Sequence, residues 1–307
     1  MTVSSQTRVA LFGTGIMGGH MARRLAGAGF PVTVWNRTHA KAAALAGDGI
    51  EAVEDARKAA ANAEVAIVML MDGASCDELL FERGVAEALP KGATVAVMSS
   101  IRAGTARAQG ERLAAMGIGY VDAPVSGGEG GARDGKLSIM AGGSEAALAA
   151  LAPVFAPMGR TTRIGDIGAG QVAKHVNQLI VGVTIAAVAE GMVLAQAAGV
   201  DPVKVREALS GGFAASTILA VHGERIARGD WKPGGAVSTQ LKDLKDILAL
   251  GEASDIDLAV TGTVARLYGD LVEAGGADLD HSALFLEILR RNGLDDPRLG
   301  ALKDAGR

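Results

Sequence analysis

The stretch that most constrains this chain is "VALFGTGIMGGHMARRLAG", residues 9–27. A short apolar run rich in strand formers leads into Gly13, Gly15 and Gly18, spaced as G-x-G-x-x-G. Met17, Met21 and Leu25 then recur at i, i+4 and i+8. The pattern reads as a strand, a tight turn and an amphipathic helix. Gly13 permits the turn, Gly15 lets the backbone approach a pyrophosphate, and Gly18 lets helix and strand pack closely. The helix start offers free N–H groups and a positive dipole end to phosphates, with Ile16 and Met17 in the same turn. A dinucleotide-binding α/β domain is the expectation.

The rest of the first half repeats the theme. Apolar strands are expected at 31–36, 63–70, 94–100, within 117–127 and at 136–143, with a short one near 50–53. Helical stretches are expected at 39–47, 76–88, 103–116 and 144–158. Alternating strands and helices imply crossover units and a mostly parallel, doubly wound sheet of Rossmann type. A fully apolar strand such as "VAIVML" suits a sheet covered on both faces.

Near residue 166 the character changes, and strand patterns almost disappear. Residues 171–199 read as one helix of about 28 residues, about 42 Å long at about 1.5 Å per residue. Helices are further expected at 201–212, 238–254, 260–276 and 280–293, the first of them with Asp201 as N-cap and Pro202 at its first position. The expected division is a dinucleotide-binding domain over 1–165 and an all-helical substrate and dimerisation domain over 166–307.

Composition narrows the function. A net charge of −4, with cations scattered rather than clustered, gives no footprint for nucleic acid. The single cysteine, Cys76, rules out an intrachain disulfide and a cysteine-based metal site. None of the five histidines sits at His-x-x-x-His or His-x-Glu spacing, so no metal is expected. Residues 1–7 read as a loose tail without the layout of a signal peptide. The fully nonpolar part of the long helix, 179–189, reads as too short for a bilayer. A soluble, cytoplasmic protein without a membrane partner is expected.

The second strand ends in Asn36, Arg37 and Thr38. An acidic residue there would hydrogen-bond the ribose 2′-hydroxyl of NAD. A cation flanked by two hydrogen-bonding side chains instead suits the 2′-phosphate of NADP. NADP is the expected cofactor, with NAD the alternative.

"GQVAKHVNQLI", residues 170–180, opens the long helix with polar groups. Lys174 and Asn177 are i, i+3, and Lys174 and Gln178 are i, i+4, so the three share one face. A lysine among amides can donate a proton to a carbonyl oxygen while the amides fix the substrate. By spacing alone, a merely solvated first turn fits equally well. The helix is apolar around much of its circumference, which favours burial against a second subunit, as a homodimer or homotetramer.

These motifs together resemble the β-hydroxyacid dehydrogenase family. The resemblance rests on "LFGTGIMG", "DAPVSGGEGGARDGKLSIMAGG" (122–143), "GAGQVAKHVNQLIV" (168–181), "QLKDL" (240–244) and "DHSAL" (280–284), and so covers almost the whole chain. It implies an NAD(P)-dependent enzyme that interconverts a small β-hydroxyacid and its semialdehyde by hydride transfer. The implied partner is a small carboxylate-bearing aldehyde or hydroxyacid. Lys174 matches the general acid of carbonyl reduction, and Ser126, Gly127 and Gly128 match the loop that holds a carboxylate. Asn177 and Gln178 match paired amides that orient the substrate. Lys242 matches a lysine near the cofactor and Ser100 a hydroxyl residue near the nicotinamide, and Leu70 and Met71 lie in the loop that contacts the cofactor's ribose. Met71 and Val97 depart from the family's usual proline and aspartate. Two other readings stand beside this one: an imine reductase on the same fold, and a non-catalytic NADP-binding module. Phe213 and Trp231 are candidates to border the substrate.

Overall fold

A computed structural model describes residues 6–304. The chain divides into two compact units, 1–174 and 175–307. Of the expected N-terminal tail, residues 1–5 lie outside the described residues, while Gln6 is exposed and Thr7 is buried.

In the first unit the elements run β1 (Val9–Phe12), α1 (Gly18–Gly27), β2 (Val32–Trp35), α2 (His39–Ala43), β3 (Ile50–Ala52), α3 (Ala56–Ala60) and β4 (Val65–Val68). There follow α4 (Gly73–Asp77), a π-helical turn over Glu78–Glu82, α5 (Val85–Ala88), β5 (Thr94–Val97) and α6 (Ala103–Ala115). The unit continues with β6 (Gly119–Asp122), β7 (Val125–Ser126), α7 (Gly128–Asp134), β8 (Leu137–Gly142), α8 (Glu145–Phe155) and β9 (Gly159–Gly165). The strand order is β3-β2-β1-β4-β5-β6-β8-β7, with β9 paired to β8. The first six strands are parallel, whereas β8 runs antiparallel to both β6 and β7. Chain direction across the sheet reverses at β1, which pairs with both β2 and β4. That switch point is where open α/β sheets leave a crevice at their carboxyl ends.

Period-two alternation sends Val9 and Leu11 to one face of the sheet and Ala10 and Phe12 to the other. On the first face α1 buries Met21, Ala22 and Leu25, and α8 buries Leu148 and Leu151. On the second, α3 and α6 contribute Ala59, Ala60 and Leu113. Burying a side chain such as Leu25 is worth roughly 1.5–3 kcal/mol, so α1 is held by its apolar stripe rather than by its own propensity. Cys76 lies fully buried in the second face.

Helix α3, helix α7 and strand β9 were not expected from the sequence, and one expected helix is interrupted. Strand β9, "GRTTRIG", is polar and mostly exposed, and its backbone pairing with β8 supplies what its side chains do not. Helix α7 holds three glycines in seven residues and follows directly on Gly127. The helical run expected over 76–88 is broken at Gly84, whose φ of 70° is left-handed.

Helix α9 spans Ala169–Ala197, 29 residues. By length and composition alone it could cross a bilayer, contrary to the estimate made from its nonpolar part. Its buried residues Ile185, Ala186, Ala189, Met192 and Val193 nevertheless sit among the packed residues of the protein interior. The remaining helices are α10 (Pro202–Leu209), α11 (Thr217–Arg228), α12 (Val237–Glu252), α13 (Ala259–Leu271), α14 (Leu284–Arg291) and α15 (Gly300–Asp304). As expected, Asp201 caps α10 by accepting from Val203 N–H, with Pro202 at the helix start. The core of this second unit gathers Leu219, Ile226, Leu244, Ile247, Tyr268 and Phe285. Helix α11, capped by Ser216 through the N–H of Leu219, was not anticipated.

Candidate active site

The first unit presents a turn made almost entirely of backbone. Gly13 has a φ of 99°, and its N–H donates to Trp35 O at 2.9 Å. A Cβ on Gly13 would run into the Met69 carbonyl oxygen, and one on Gly18 into the Gly13 carbonyl oxygen. A Cβ on Gly15 would meet nothing within 4 Å. Two glycines are therefore required by packing, and the third faces open space. Asn36 ties the end of β2 to this turn, because its Oδ1 accepts from Thr14 N–H at 3.0 Å and its Nδ2 donates to Thr38 O at 3.0 Å. Thr14 Oγ1 is buried with no hydrogen-bond partner among the described residues. An open cradle at Gly15, an orphaned hydroxyl and the start of the ten-residue α1 fit a pyrophosphate. Arg37 and Thr38 are exposed just beyond β2. Ile16 (49% exposed) flanks the glycine turn, and Met71 (62% exposed) lies in the loop after β4. Met17 is half-buried against the core. Leu70 donates its N–H to Ser99 Oγ at 2.7 Å, which links the loop after β4 to the one after β5, where Ser100 is half-buried.

The same unit carries Ser126 at the end of β7, with Gly127 and Gly128 following at φ values of 136° and 59°. It ends at Lys174, only 8% exposed, in the second turn of α9. Asp122, at the end of β6, is fully buried and accepts from the N–H groups of Gly168 at 2.7 Å and Gln171 at 2.9 Å. Burial pushes its carboxyl up from the usual carboxylate range, and these N–H donors oppose that shift.

The second unit holds a chain of side chains of its own. Asn177 Nδ2 donates to Gln178 Oε1 at 2.8 Å, and Gln178 Nε2 donates to Asp243 Oδ2 at 2.8 Å. Asp243 Oδ1 is 2.8 Å from Lys242 Nζ, and Gln240 Nε2 donates to the Gln178 carbonyl oxygen at 3.2 Å. A carboxylate only accepts, so Asp243 turns the Gln178 amide nitrogen toward itself and leaves its oxygen for Asn177. Asp243 and Gln240 were missed as site candidates. Both lie in "QLKDL", on either side of Lys242.

His222, Asp280 and His281 hold ligand-type atoms within 4.8 Å of one another. Asp280 already accepts from Gly234 and Gly235 N–H and from Ser282 N–H and Oγ, and Arg225 Nε lies 3.5 Å away. Saturated oxygens beside a guanidinium suit an anchor for the loop rather than a cation site. Burial, and then His222, hold His281 down to about 4. Trp231 is buried and stacks on Phe285 at 6.3 Å, so it belongs to the core, and Phe213 is fully exposed on the link from α10 to α11.

The fold and the glycine turn define an NAD(P)-dependent oxidoreductase. Residues 8–168 match the NAD-binding domain of 6-phosphogluconate dehydrogenase, and 168–288 match the NAD-binding domain of NADP-dependent 3-hydroxyisobutyrate dehydrogenase. The chain is 40% identical to 2-hydroxy-3-oxopropionate reductase of Escherichia coli, over 94% of this chain and 99% of that one. The solved 3-hydroxyisobutyrate dehydrogenase of Salmonella typhimurium superposes with a TM-score of 0.86 at 31% identity, covering 91% of this chain and 99% of that one. An imine reductase from Bacillus cereus shares the fold alone, at 22% identity and a TM-score of 0.59, covering 93% of this chain and 99% of that one. The chain belongs to the β-hydroxyacid dehydrogenase family.

Proposed function

We propose that this enzyme reduces a small aldehyde bearing a carboxylate to the corresponding β-hydroxyacid, and runs the reverse oxidation, with Lys174 as general acid and base. The observation that carries this reading is a nearly buried lysine, 8% exposed, on one helix with Asn177 and Gln178 at i+3 and i+4. When bound, the nicotinamide cofactor supplies the hydride chemistry. Gly13, Gly15, Ile16, Met17 and Gly18, with Leu70 and Met71, would hold it, together with Ser100 and Lys242. Charge develops on the substrate oxygen during reduction, and Lys174 Nζ delivers the proton that neutralises it. Help of this kind is typically worth about 10²–10⁴ in rate. Ser126, Gly127 and Gly128 hold the substrate carboxylate, and Asn177 and Gln178 fix its orientation.

Arg37 and Asn36, in place of an acidic residue after β2, support NADP over NAD. The similarity to the Escherichia coli reductase supports 2-hydroxy-3-oxopropionate as the first substrate to try. Exposed Val176, Ile180 and Leu194 on α9 support a homodimer or homotetramer. A cytoplasmic location, without nucleic-acid or membrane partners, completes the reading. Lys174 argues against an imine substrate, because an iminium needs no proton on a nascent alkoxide.

The test is a panel of semialdehydes and a cyclic imine with NADPH and NADH, run on wild type and Lys174→Ala. Turnover of a semialdehyde with NADPH is expected, falling at least about 10²-fold in the variant while NADPH binding persists. Near-normal turnover by Lys174→Ala, or turnover of the imine alone, would overturn the assignment.

A further inference from the structure

Two buried side chains outside the residues assigned above knit the first unit together around its polar loops. Asp122 closes β6 and sits four residues before Ser126. Its two oxygens accept from Gly168 N–H at 2.7 Å and Gln171 N–H at 2.9 Å. These are donors at the start of α9 that no helical carbonyl can satisfy. Room for the carboxylate comes from two glycines. A Cβ on Gly142 would strike Asp122 Oδ1, and one on Gly170 would come within 2.8 Å of Oδ2. Gln171 extends the lock in the other direction. Its Oε1 accepts from Ile101 N–H at 3.0 Å, and its Nε2 donates to Ser99 O at 2.9 Å. One amide therefore holds the peptide groups on both sides of Ser100. Asp122, Gln171, Ser99 and Ile101 are each at most 1% exposed, so water does not compete for these bonds.

We infer that Asp122 and Gln171 are positioning residues that lock the first turn of α9, and with it Lys174 one turn on, to the loops carrying Ser100 and Ser126. The inference rests on the assignment of Lys174 as the proton donor. Gln171 precedes Lys174 by three residues, so holding its backbone and side chain fixes the turn from which the lysine projects. Proton transfer depends steeply on donor placement, and a displacement of about 1 Å can cost about 10²-fold in rate.

Asp122→Asn offers a donor where two N–H groups need acceptors, and Gln171→Met removes both side-chain hydrogen bonds at similar volume. Both are compared with wild type and Lys174→Ala by thermal unfolding, by NADPH titration counting competent sites, and by kcat and KM per competent site. The solvent deuterium isotope effect on kcat is measured as well. The expected result is folded protein, an NADPH Kd within about threefold of wild type and kcat lower by about 10–100-fold. The solvent isotope effect should rise as proton delivery becomes slower. Should Asp122→Asn not fold, Gln171→Met, which keeps the carboxylate, carries the test alone. Unchanged kcat in the folded variants, or a loss of kcat with no change in the isotope effect, overturns the inference while leaving Lys174 in its role if Lys174→Ala has collapsed. Failure of both variants to fold assigns the pair to the framework and overturns it too. Full turnover by Lys174→Ala removes the lysine's role, and the inference with it.

Discussion

The glycine turn after β1 and the amide chain of the second unit both order polar groups, but from different materials. At the turn, the work is done by N–H groups and by the absence of side chains: Gly13 and Gly18 clear space for other backbone, and Gly15 leaves space open. In the second unit, Asn177, Gln178, Asp243 and Lys242 orient one another through their side chains. A backbone site depends on conformations that few residues allow. A side-chain site depends on a partner arriving from far along the chain, here 65 residues from Gln178 to Asp243. The first kind should fail by steric overlap, the second by loss of a hydrogen bond.

Gly18→Ala presses hardest on this contrast. Its Cβ would overlap the Gly13 carbonyl oxygen and lie 3.1 Å from the carbonyl carbon, and backbone gives way little. The expected loss is about 3 kcal/mol, at the upper end for overpacking, with loss of NADPH binding. Denaturant unfolding reads the first and titration the second, and wild-type stability would mean that the turn yields more than its geometry implies. Asp243→Asn comes next. It takes the charge from Lys242 and one acceptor from the amide chain, so about 1–2 kcal/mol of stability and a higher KM for the aldehyde are expected. If KM is unchanged, the chain does not orient substrate. Gly15→Ala sharpens the comparison with the smallest structural effect. Its Cβ meets nothing, so stability should stay within about 0.5 kcal/mol while NADPH binds about tenfold more weakly by calorimetry. A full-strength Kd would show that the open space is not where phosphate lies.

The same distinction explains what the sequence revealed. Strands β1 and β4 were legible because burial on both faces demands continuous apolar runs, β2, β5 and β8 because apolar residues dominate them, and α9 because its apolar residues recur over 29 positions. Strand β9 was hidden because an exposed strand joined to β8 needs no apolar code. Helix α7 was hidden because Gly128, Gly130 and Gly131 read as a loop, although Ala132 is buried and holds the segment in place. Strands β6 and β7 run the same way, so the reversal of β8 falls in the connection through α7, and strand composition carries no trace of it. Among the candidate site residues, Gly13, Ser126 and Lys174 stand out in the sequence because each lies in a motif of known spacing. Asp122, Gln171 and Asp243 lie within motifs, yet no motif shows which of its polar residues is tied to a partner 46 to 72 positions away.

The scarcity of aromatic residues has a practical result. The chain holds two tryptophans, and each unit has one. Trp35 is 6% exposed, adjoins the glycine turn through its backbone, and donates its ring N–H to Glu54 O at 3.0 Å. Trp231 is 9% exposed and stacks on Phe285 in the other core. Intrinsic emission is therefore a two-channel signal: replacing one indole by phenylalanine leaves a spectrum that reports the melting of a single unit, with no dye or label.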